Sequence, residues 1–313
     1  MGLDSKARDV LVQAGGWVIL AVGVALLVLP GPGIPFVLAG LGILGRRHAW
    51  ARSAAHKIRV RAASLRLAGA SRPRVESRAV PGAAFLMAVA APAAAVGAAP
   101  VSVYRVTPAV DVPVIVASVA AIVLPSVFGS DLVHPRCPCD PGEVNALDRH
   151  VIGNHSTFWD TASTVTEVAA IVAPLALDAV DVGFTQVWLE DATVYGETLG
   201  VDEALTTLTK YAVRRPRPRT YAGDPADIQN TDGYLSFYSG HTSLVMAAMA
   251  ASAVTLQKRH GEGVWPWIVG AALGVAVAAQ RVAAGQHFYT DVAVGFAAGT
   301  ATGIAVPLLH ARF

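Results

Sequence analysis

The sequence has few charged residues and few cysteines for its length. Only 15% of its 313 residues are charged, whereas 54% are hydrophobic, and the mean hydropathy is +0.50. This balance argues against an ordinary soluble domain and predicts a chain embedded in a membrane. The formal net charge of +2 gives no indication of nucleic-acid binding, so the positions of the basic residues matter more than their number.

The two cysteines, Cys137 and Cys139, are separated by a single proline. Residues so close in sequence rarely reach relaxed disulfide geometry, and a structural zinc site needs further ligands. We therefore expect an ordinary loop here, with no redox or metal role.

The apolar runs lack the alternation of period two that strands of a membrane barrel show. They cover residues 110–128, 162–184, 242–256, 265–279 and 292–309. Residues 187–210 form a further helical segment that carries five carboxylates, which is too polar to face lipid and should be internal or partly emerged. The predicted fold is all-α, a polytopic membrane helical bundle with a six-helix core.

A helical hairpin anchor is predicted to precede this core. Two apolar runs, 15–29 and 33–44, are shorter than the roughly 20 residues of a full crossing, and a proline- and glycine-rich break separates them. We predict a hairpin over residues 1–50, a basic juxtamembrane linker that lies on anionic headgroups over 51–79, and a membrane-embedded catalytic domain over 80–313.

The hairpin carries a recognisable motif. Its Gly16-Trp17, Pro30-Gly31-Pro32-Gly33 and Arg46-Arg47 resemble the bacterial PGPGW transmembrane family, with Ile34 in place of the tryptophan in the family name. This resemblance implies an anchor and no chemistry. Residues 79–98 are rich in alanine, valine and glycine and resemble the apolar region of a signal peptide. Cleavage, spanning and lying across the bundle all stay open for this segment.

Basic residues cluster where segment 187–210 ends. If the helix continued, Lys210, Arg214 and Arg217 would share one face at spacings of four and seven. Pro216 and Pro218 would then stop the helix and stiffen the chain. Such cations suit a phosphate, because arginine offers paired donors and lysine a point charge. Taken alone, a juxtamembrane positive cluster is the alternative.

The next motif is Tyr238-Ser239-Gly240-His241, at the start of an apolar segment. Glycine permits close approach of the backbone to a ligand, and free N–H groups at a helix N-terminus bind anions. His241 would stand at the rim as a proton donor. An N-cap serine followed by a polar interface histidine is the alternative.

The third motif combines Arg281 with His287 and Asp291, which are four residues apart. At this helical spacing the carboxylate can hold the imidazole Nδ1–H and leave Nε2 facing a substrate. A nucleophilic or general-base histidine needs this arrangement. A lone His/Asp pair is more often structural, but three such motifs at helix ends indicate one shared phosphate site.

Together the three motifs resemble those of the type-2 phosphatidic acid phosphatase superfamily, Lys-x6-Arg-Pro, Pro-Ser-Gly-His and Ser-Arg-x5-His-x3-Asp. The resemblance covers about residues 101–309. Two positions depart, since Tyr238 replaces the proline and Gln280 the serine, which puts the pocket shape and the substrate in question rather than the chemistry.

The resemblance implies a role for each motif residue. His287 would attack phosphorus to give a phosphohistidine, Asp291 would orient it, and His241 would protonate the leaving group. The phosphate oxygens would be held by Lys210, Arg217, Ser239, Gly240 and Arg281. No metal or other cofactor is implied. Asp202 and Glu203 are expected to be partners within the bundle rather than ligands.

The implied substrate is a lipid phosphate: phosphatidic acid, phosphatidylglycerol phosphate or a polyprenyl diphosphate. The implied location is a bacterial inner membrane with the active site on the extracytoplasmic face. A non-catalytic anionic-lipid binder or transporter is an alternative from another class. A vanadate haloperoxidase is a further alternative, which the high hydrophobic content disfavours.

Overall fold

The computed structural model describes residues 101–261 and 263–312. In this part the chain is helical, with no β-strand beyond an isolated antiparallel bridge between Tyr104 and Ala311. Its six long helices are α1 (Pro108–Val127), α4 (Thr157–Val182), α5 (Gln186–Val213), α8 (Gly240–His260), α9 (Trp265–Ala283) and α10 (Tyr289–His310). Four helices of one turn lie in the connections: α2 (Gly129–Leu132), α3 (Ala146–Arg149), α6 (Pro218–Tyr221) and α7 (Pro225–Ile228). The predicted all-α helical bundle is confirmed.

Three of these helices, α1, α9 and α10, are long and apolar enough to cross a bilayer by length and composition. The hydropathy of the sequence predicted all three helices, and both ends of each helix lie within about four residues of the ends of the predicted run. Most of α1 is exposed, and its apolar side chains point away from the bundle. The protein is therefore a membrane protein.

Helix α5 carries its carboxylates inward. Asp191, Glu197 and Asp202 are all at least nine-tenths buried, and the helix packs against α1, α8 and α10. This is the internal position that its polarity predicted, because ionisable groups at membrane depth turn toward the bundle.

Helix α8 occupies the middle of the bundle and contacts α4, α5, α9 and α10. Its contact with α10 is unusually close, because Gly295, Gly299 and Gly303 of α10 recur every four residues on one face. A Cβ at Gly295 would lie 2.6 Å from the Ser239 carbonyl oxygen, and one at Gly303 would lie 2.5 Å from that of Ala247. At Gly299 the added atom would overlap the Ser243 carbonyl. Small residues at this spacing let two membrane helices touch along their backbones.

The helices run up and down, so their ends form two layers of polar contacts. One layer contains the ends of α1, α5 and α9 with the starts of α4, α8 and α10. In the opposite layer, Arg259 at the end of α8 binds Asp178, Asp181 and Asp191. There the chain before α1 pairs with the chain after α10, through Arg105 N–H to the His310 carbonyl at 2.8 Å and Arg312 N–H to the Val103 carbonyl at 2.9 Å.

The loop before α4 contains α3, which ends at Arg149, and then a turn, with Asn145 and Ser156 as the N-caps of α3 and α4. One expectation about this loop was wrong. The cysteine pair was expected to stay unbridged, but Cys137 and Cys139 form a disulfide. Their Cα atoms are 4.5 Å apart, within the range that a disulfide spans, because the chain reverses at Pro138.

The predicted hairpin at 1–50, the basic linker at 51–79 and the signal-like segment at 79–98 lie outside the described residues.

The glycine contact between α8 and α10 gives a first prediction. Gly299→Val should lower the free energy of unfolding by at least about 1–3 kcal/mol, because the new side chain meets backbone that cannot move aside. Thermal unfolding in detergent measures this. Gly196→Ala in α5 is the matched control: nothing lies within 4 Å of an added Cβ there, so its melting temperature should be unchanged or slightly higher. Equal losses in both variants would contradict the close-contact argument.

Candidate active site

The residues of the three motifs meet at one end of the bundle. They come from the end of α5 and the turn after it (Lys210, Arg217), the start of α8 (Ser239, Gly240, His241), the last turn of α9 (Arg281) and the start of α10 (His287, Asp291). Each group arrives at a helix terminus, where polar side chains are compatible with an apolar helix.

Lys210 lies against the N-terminus of α8. A Cβ on Gly240 would be 3.3 Å from the Lys210 Nζ, so this glycine leaves room for the ammonium group. Helix α5 ends three residues later, with Arg214 in the left-handed region at φ 54°. The predicted common face of Lys210, Arg214 and Arg217 is therefore wrong for Arg214, which is exposed and donates from Nε to the Tyr211 carbonyl.

Arg217 is buried and bound on several sides. Its Nε donates to the Asp232 carbonyl at 2.9 Å and its Nη2 to the Asp232 carboxylate at 2.9 Å. Its Nη1 donates to the Gln286 carbonyl at 3.0 Å and lies 3.3 Å from His287 Nε2. The guanidinium is thus fixed before any ligand arrives, with one edge toward the histidine.

His287 is held as a neutral imidazole with a defined tautomer. Its Nδ1 lies 2.8 Å from the Ser236 carbonyl, which can only accept, so Nδ1 carries the proton. Nε2 then has the lone pair that receives Arg217 Nη1. Burial lowers the pKa of His287 well below its usual 6.5, and the positive charges of Arg217, Arg281 and Lys210 lower it further. The nitrogen that faces the cations is therefore unprotonated at neutral pH.

Asp291 does not hold the histidine in the way that the spacing predicted. Its Oδ2 is 3.7 Å from His287 Nδ1, whereas it accepts the Ser236 hydroxyl at 2.5 Å and the Phe288 N–H at 3.0 Å. Because Ser236 also supplies the carbonyl that holds Nδ1, Asp291 positions the imidazole through this residue.

Arg215 joins Asp291 to a second buried carboxylate. It donates to Asp291 Oδ1 at 2.5 Å and to Asp148 Oδ2 at 2.8 Å, and both aspartates are fully buried. Burial alone would raise the pKa of Asp148, but hydrogen bonds from Thr290 and Arg215 outweigh it and lower this pKa below its usual value. The Arg215 guanidinium also lies 4.2 Å over the Phe288 ring.

Helix α4 supplies hydrogen-bond partners for Arg281 and His241. Arg281 Nη1 donates to Asp160 Oδ1 at 2.6 Å and to the Ser163 hydroxyl at 3.1 Å, while its Nε is buried without a hydrogen-bond partner in the described structure. His241 Nε2 lies 3.3 Å from Glu167 Oε2 and 3.4 Å from the Thr164 hydroxyl. A carboxylic group is thus in place to exchange a proton with His241.

The side chain of Ser239 caps the N-terminus of α8. Its hydroxyl is buried and accepts the Thr242 N–H at 3.4 Å, which makes it the N-cap of α8, and its own N–H donates to the Asp291 carbonyl. The N-cap alternative therefore describes its side chain. The first N–H groups of α8 lack intrahelical acceptors and remain suited to an anion.

The two departures from the motifs and the two neighbouring carboxylates have defined positions. Tyr238 is buried, and Gln280 donates to the Thr166 hydroxyl of α4. Asp202 accepts the Ser243 hydroxyl at 2.8 Å, as expected of a partner within the bundle. Glu203 accepts from Thr207, and its Oε2 would lie 3.7 Å from a Cβ on Gly240.

Taken together, the arrangement suits a phosphate group. Three cations, Lys210, Arg217 and Arg281, surround a neutral imidazole nitrogen, and a second histidine lies beside a carboxyl group. Such a site can bind an anion, offer a nucleophile and transfer a proton.

Sequence reasoning missed several residues that complete the site: Asp148, Asp160, Glu167, Arg215, Asp232 and Ser236. Arg215 lies within the first motif but was not among the residues predicted for the site. The others lie on different segments, and no spacing within one helix could have connected them to the motifs.

Comparison with known families gives two matches. Residues 191–313 match the PAP2 superfamily, and residues 9–61 match the transmembrane protein family named PGPGW. The first match contains every predicted site residue, and the second covers most of the predicted hairpin and part of the basic linker.

Similar curated proteins include phospholipid phosphatase 1 of Rattus norvegicus, 32% identical over 138 residues, which are 36% of this chain and 49% of that protein. Phospholipid phosphatase 2 of Homo sapiens is 31% identical, over 32% of this chain and 43% of that protein. The chain thus spans about half, or slightly less, of the length of the curated relatives that it matches. A crystal structure described as a transmembrane PAP2 type phosphatidylglycerolphosphate phosphatase from Bacillus subtilis is 21% identical, with a TM-score of 0.40 and coverage of 64% of this chain and 94% of that one.

The low pKa of His287 predicts a pH-dependent loss of stability. Below pH 6.5 the unfolded chain protonates this residue while the folded protein does not, so stability falls as the pH falls, by up to about 1.4 kcal/mol per pH unit. We expect the melting temperature of the wild type to fall more steeply between pH 7 and pH 5 than that of His287→Asn. The exposed His155→Asn variant should keep the wild-type slope. Identical slopes in all three proteins would refute a neutral buried imidazole.

Arg215 is predicted to stabilise the fold through its two carboxylates. Arg215→Met should lower the free energy of unfolding by about 3–5 kcal/mol, because Asp148 and Asp291 are left buried with no cation. Denaturation followed by circular dichroism measures the loss. Arg219→Met is the control, since the partners of Arg219, Asp224 and Asp227, are partly exposed, and its loss should be smaller. A larger loss for Arg219→Met would show that burial of the carboxylates is not decisive.

Proposed function

We propose, from the premise that residues 191–313 belong to the PAP2 superfamily, that the protein is a membrane phosphatase. Its substrate would be the phosphomonoester or diphosphate of a lipid, and its reaction would pass through a phosphohistidine on His287. The observation that carries this proposal is the state of that residue: a buried imidazole with its proton fixed on Nδ1 and its Nε2 lone pair among three cations.

The first step is attack by His287 Nε2 on phosphorus. A bond from nitrogen to phosphorus forms, and the bond from phosphorus to the alcohol or phosphate leaving group breaks. The Ser236 carbonyl stabilises the imidazolium-like product by accepting from Nδ1–H, and Asp291 fixes Ser236 through its hydroxyl. This positioning role replaces the direct contact that the sequence suggested for Asp291.

The leaving oxygen takes a proton from His241. Glu167, 3.3 Å from His241 Nε2, can stabilise the protonated form of this histidine before it donates. In the second step His241 removes a proton from water, which attacks the phosphohistidine, so inorganic phosphate is released and His287 is regenerated. The same histidine thus acts as acid and then as base.

The phosphate oxygens are held by fixed donors. Asp232 orients Arg217, and Asp160 and Ser163 orient Arg281, before the substrate binds. The buried Nε–H of Arg281 has no hydrogen-bond partner in the described structure, so it is available to donate to the phosphate. Lys210 and the N-terminus of α8 complete the set, with Gly240 allowing the close approach. We assign Ser239 to this set because it lies at the start of α8, although its hydroxyl is the N-cap of that helix. Preorganised donors of this kind stabilise the charge that develops on the transferring phosphoryl group.

A lipid substrate accords with the place of the site. It lies at the ends of helices, where a phosphate at the membrane interface can enter while its tail stays in the bilayer. Phe158 and Trp159 are exposed at the start of α4, beside the Asp160 that binds Arg281, and aromatic residues favour the headgroup level. The similar curated proteins are named phospholipid phosphatases. Phosphatidic acid, phosphatidylglycerol phosphate and a polyprenyl diphosphate are the candidate substrates.

We place the active site on the extracytoplasmic face of a bacterial inner membrane. In support, the Cys137–Cys139 disulfide lies in the same layer, since Cys137 N–H donates to the hydroxyl of Tyr234, two residues before Ser236. Disulfides persist in oxidising compartments. We further propose the division into an anchor at 1–50, a linker at 51–79 on anionic headgroups and a catalytic domain at 80–313.

The test is release of inorganic phosphate by the full-length protein in detergent with EDTA present. Phosphatidic acid, phosphatidylglycerol phosphate and a polyprenyl diphosphate are compared. We expect release from one of these lipids, a loss of at least about a thousandfold in His287→Ala, and a loss of about a hundredfold or more in His241→Ala. The exposed His155→Ala variant should retain the wild-type rate. Enzyme quenched in alkali, in which a phosphohistidine survives, should carry phosphate on His287 in the wild type and none in His287→Ala.

Two outcomes would overturn the proposal. If folded wild-type protein binds these lipids but releases no phosphate, the protein is a binder or transporter. If His287→Ala retains its rate, the nucleophile lies elsewhere. Lipid binding that survives in His287→Ala while turnover is lost would separate affinity from chemistry and support the enzyme.

A further inference from the structure

A second group of ionisable side chains lies at the end of the bundle opposite to the phosphate site. Asp111 comes from the first turn of α1, Glu197 from the middle of α5 and His310 from the last turn of α10. One ligand atom from each lies within 4.8 Å of the other two. Neither the three motifs nor the proposed reaction uses these residues.

His310 presents Nε2 to both carboxylates. Its Nδ1 lies 2.8 Å from the Val306 carbonyl, so Nδ1 carries a proton and the ring orientation is fixed. Nε2 is 3.3 Å from Asp111 Oδ1 and 3.6 Å from Glu197 Oε2. A histidine that ligates a metal usually donates its other ring N–H to a carbonyl or carboxylate in this way.

The two distances from His310 Nε2 to the carboxylates match those between neighbouring ligands of one metal ion. For tetrahedral coordination with bonds of about 2.0–2.2 Å, adjacent ligand atoms are about 3.3–3.6 Å apart. The two histidine-to-carboxylate distances fall at the two ends of this interval. The contact with Asp111 also has the geometry of a hydrogen bond, but at 3.3 Å it is longer than the about 2.7–2.9 Å of a charged pair.

The cluster also has more negative than positive charge. Asp111 and Glu197 are 2% and 5% exposed, and Glu197 Oε2 is buried with no hydrogen-bond partner in the described structure. A protonated His310 could balance only one of two buried carboxylates, and an uncompensated buried charge is strongly unfavourable. A divalent cation between the three groups would balance both.

We propose that Asp111, Glu197 and His310 bind one divalent transition-metal ion of the Zn²⁺ class. An imidazole ligand disfavours Mg²⁺ and Ca²⁺, which prefer oxygen ligands, and favours Zn²⁺ and its first-row neighbours. Three protein ligands leave a fourth position for water. The ion ties the start of α1, which is mostly exposed, to α5 and to the end of α10. The site is independent of the proposed phosphatase reaction and remains testable if that reaction is absent.

The experiment uses full-length protein in detergent, purified with an affinity tag that does not bind metal, treated with EDTA and freed of chelator. Co²⁺ is the spectroscopic probe and Zn²⁺ the ligand in thermal unfolding. We expect one equivalent of Co²⁺ to bind with the visible absorption of a four-coordinate site. Zn²⁺ at about a hundredfold excess over its Kd should raise the melting temperature by roughly 5 °C.

Glu197→Gln and His310→Asn should weaken Co²⁺ binding at least tenfold. Glu197→Gln preserves shape, and Asp111→Asn serves as a further variant if His310→Asn does not fold. His260→Asn is the matched control, because His260 pairs with Asp181 in the same layer and is more exposed. It should bind Co²⁺ as the wild type does.

The proposal is wrong if folded wild-type protein binds no Co²⁺. It is also wrong if the absorption persists in Glu197→Gln, since the ion then occupies another site, such as the histidines near the phosphate pocket. A melting temperature that rises in Glu197→Gln and does not respond to Zn²⁺ in the wild type would identify the cluster as a buried ion triad.

Discussion

The backbone contact between α8 and α10 is the constraint on which the rest of the structure depends. Three glycines of α10 allow its axis to approach the carbonyl groups of α8, so the two helices share a fixed register from Ser239 and Gly295 to Ala247 and Gly303. Ser239 N–H also bonds the Asp291 carbonyl, so the starts of both helices are joined. Packing of this kind provides attraction in a lipid solvent, where apolar side chains gain little by leaving the bilayer. His287, the proposed nucleophile, directly precedes α10, and the N-terminus proposed to bind the phosphate belongs to α8.

Three sets of contacts then fix the side chains of the site. Asp232 and Gln286 fix Arg217, Ser236 and Asp291 fix His287, and Asp160 and Ser163 fix Arg281. None of these supporting contacts depends on a ligand, so the positive field around His287 exists before binding. Arg215 extends the same support to Asp148 and links the loop before α4 to the first turn of α10. The chemistry is therefore carried by few residues, and the geometry by many.

Much of this architecture could be predicted from the sequence, for identifiable reasons. Apolar length and the absence of period-two alternation predicted α1, α9 and α10, because the bilayer fixes how long such helices must be. The motif residues could be found because each motif is local. The supporting residues could not, because Asp148, Asp160 and Asp232 reach the site only through tertiary packing. Two errors arose from local geometry: α5 ends before Arg214, and the reversal at Pro138 brings two cysteines together.

The fixed cations around His287 have a consequence for the last step of the proposed reaction. Arg217 and Arg281 cannot give up their charge, and their partners hold them in place whether the site contains an ester or free phosphate. Inorganic phosphate released from a phosphomonoester carries about the same negative charge as the substrate headgroup and has lost the tail that would draw it back toward the bilayer. In the proposed reaction, the cations that stabilise the transferring group therefore also retain the product. We expect departure of this ion, with the water that must replace it, to limit turnover, so that the rate falls as the phosphate concentration in the solution facing the site rises.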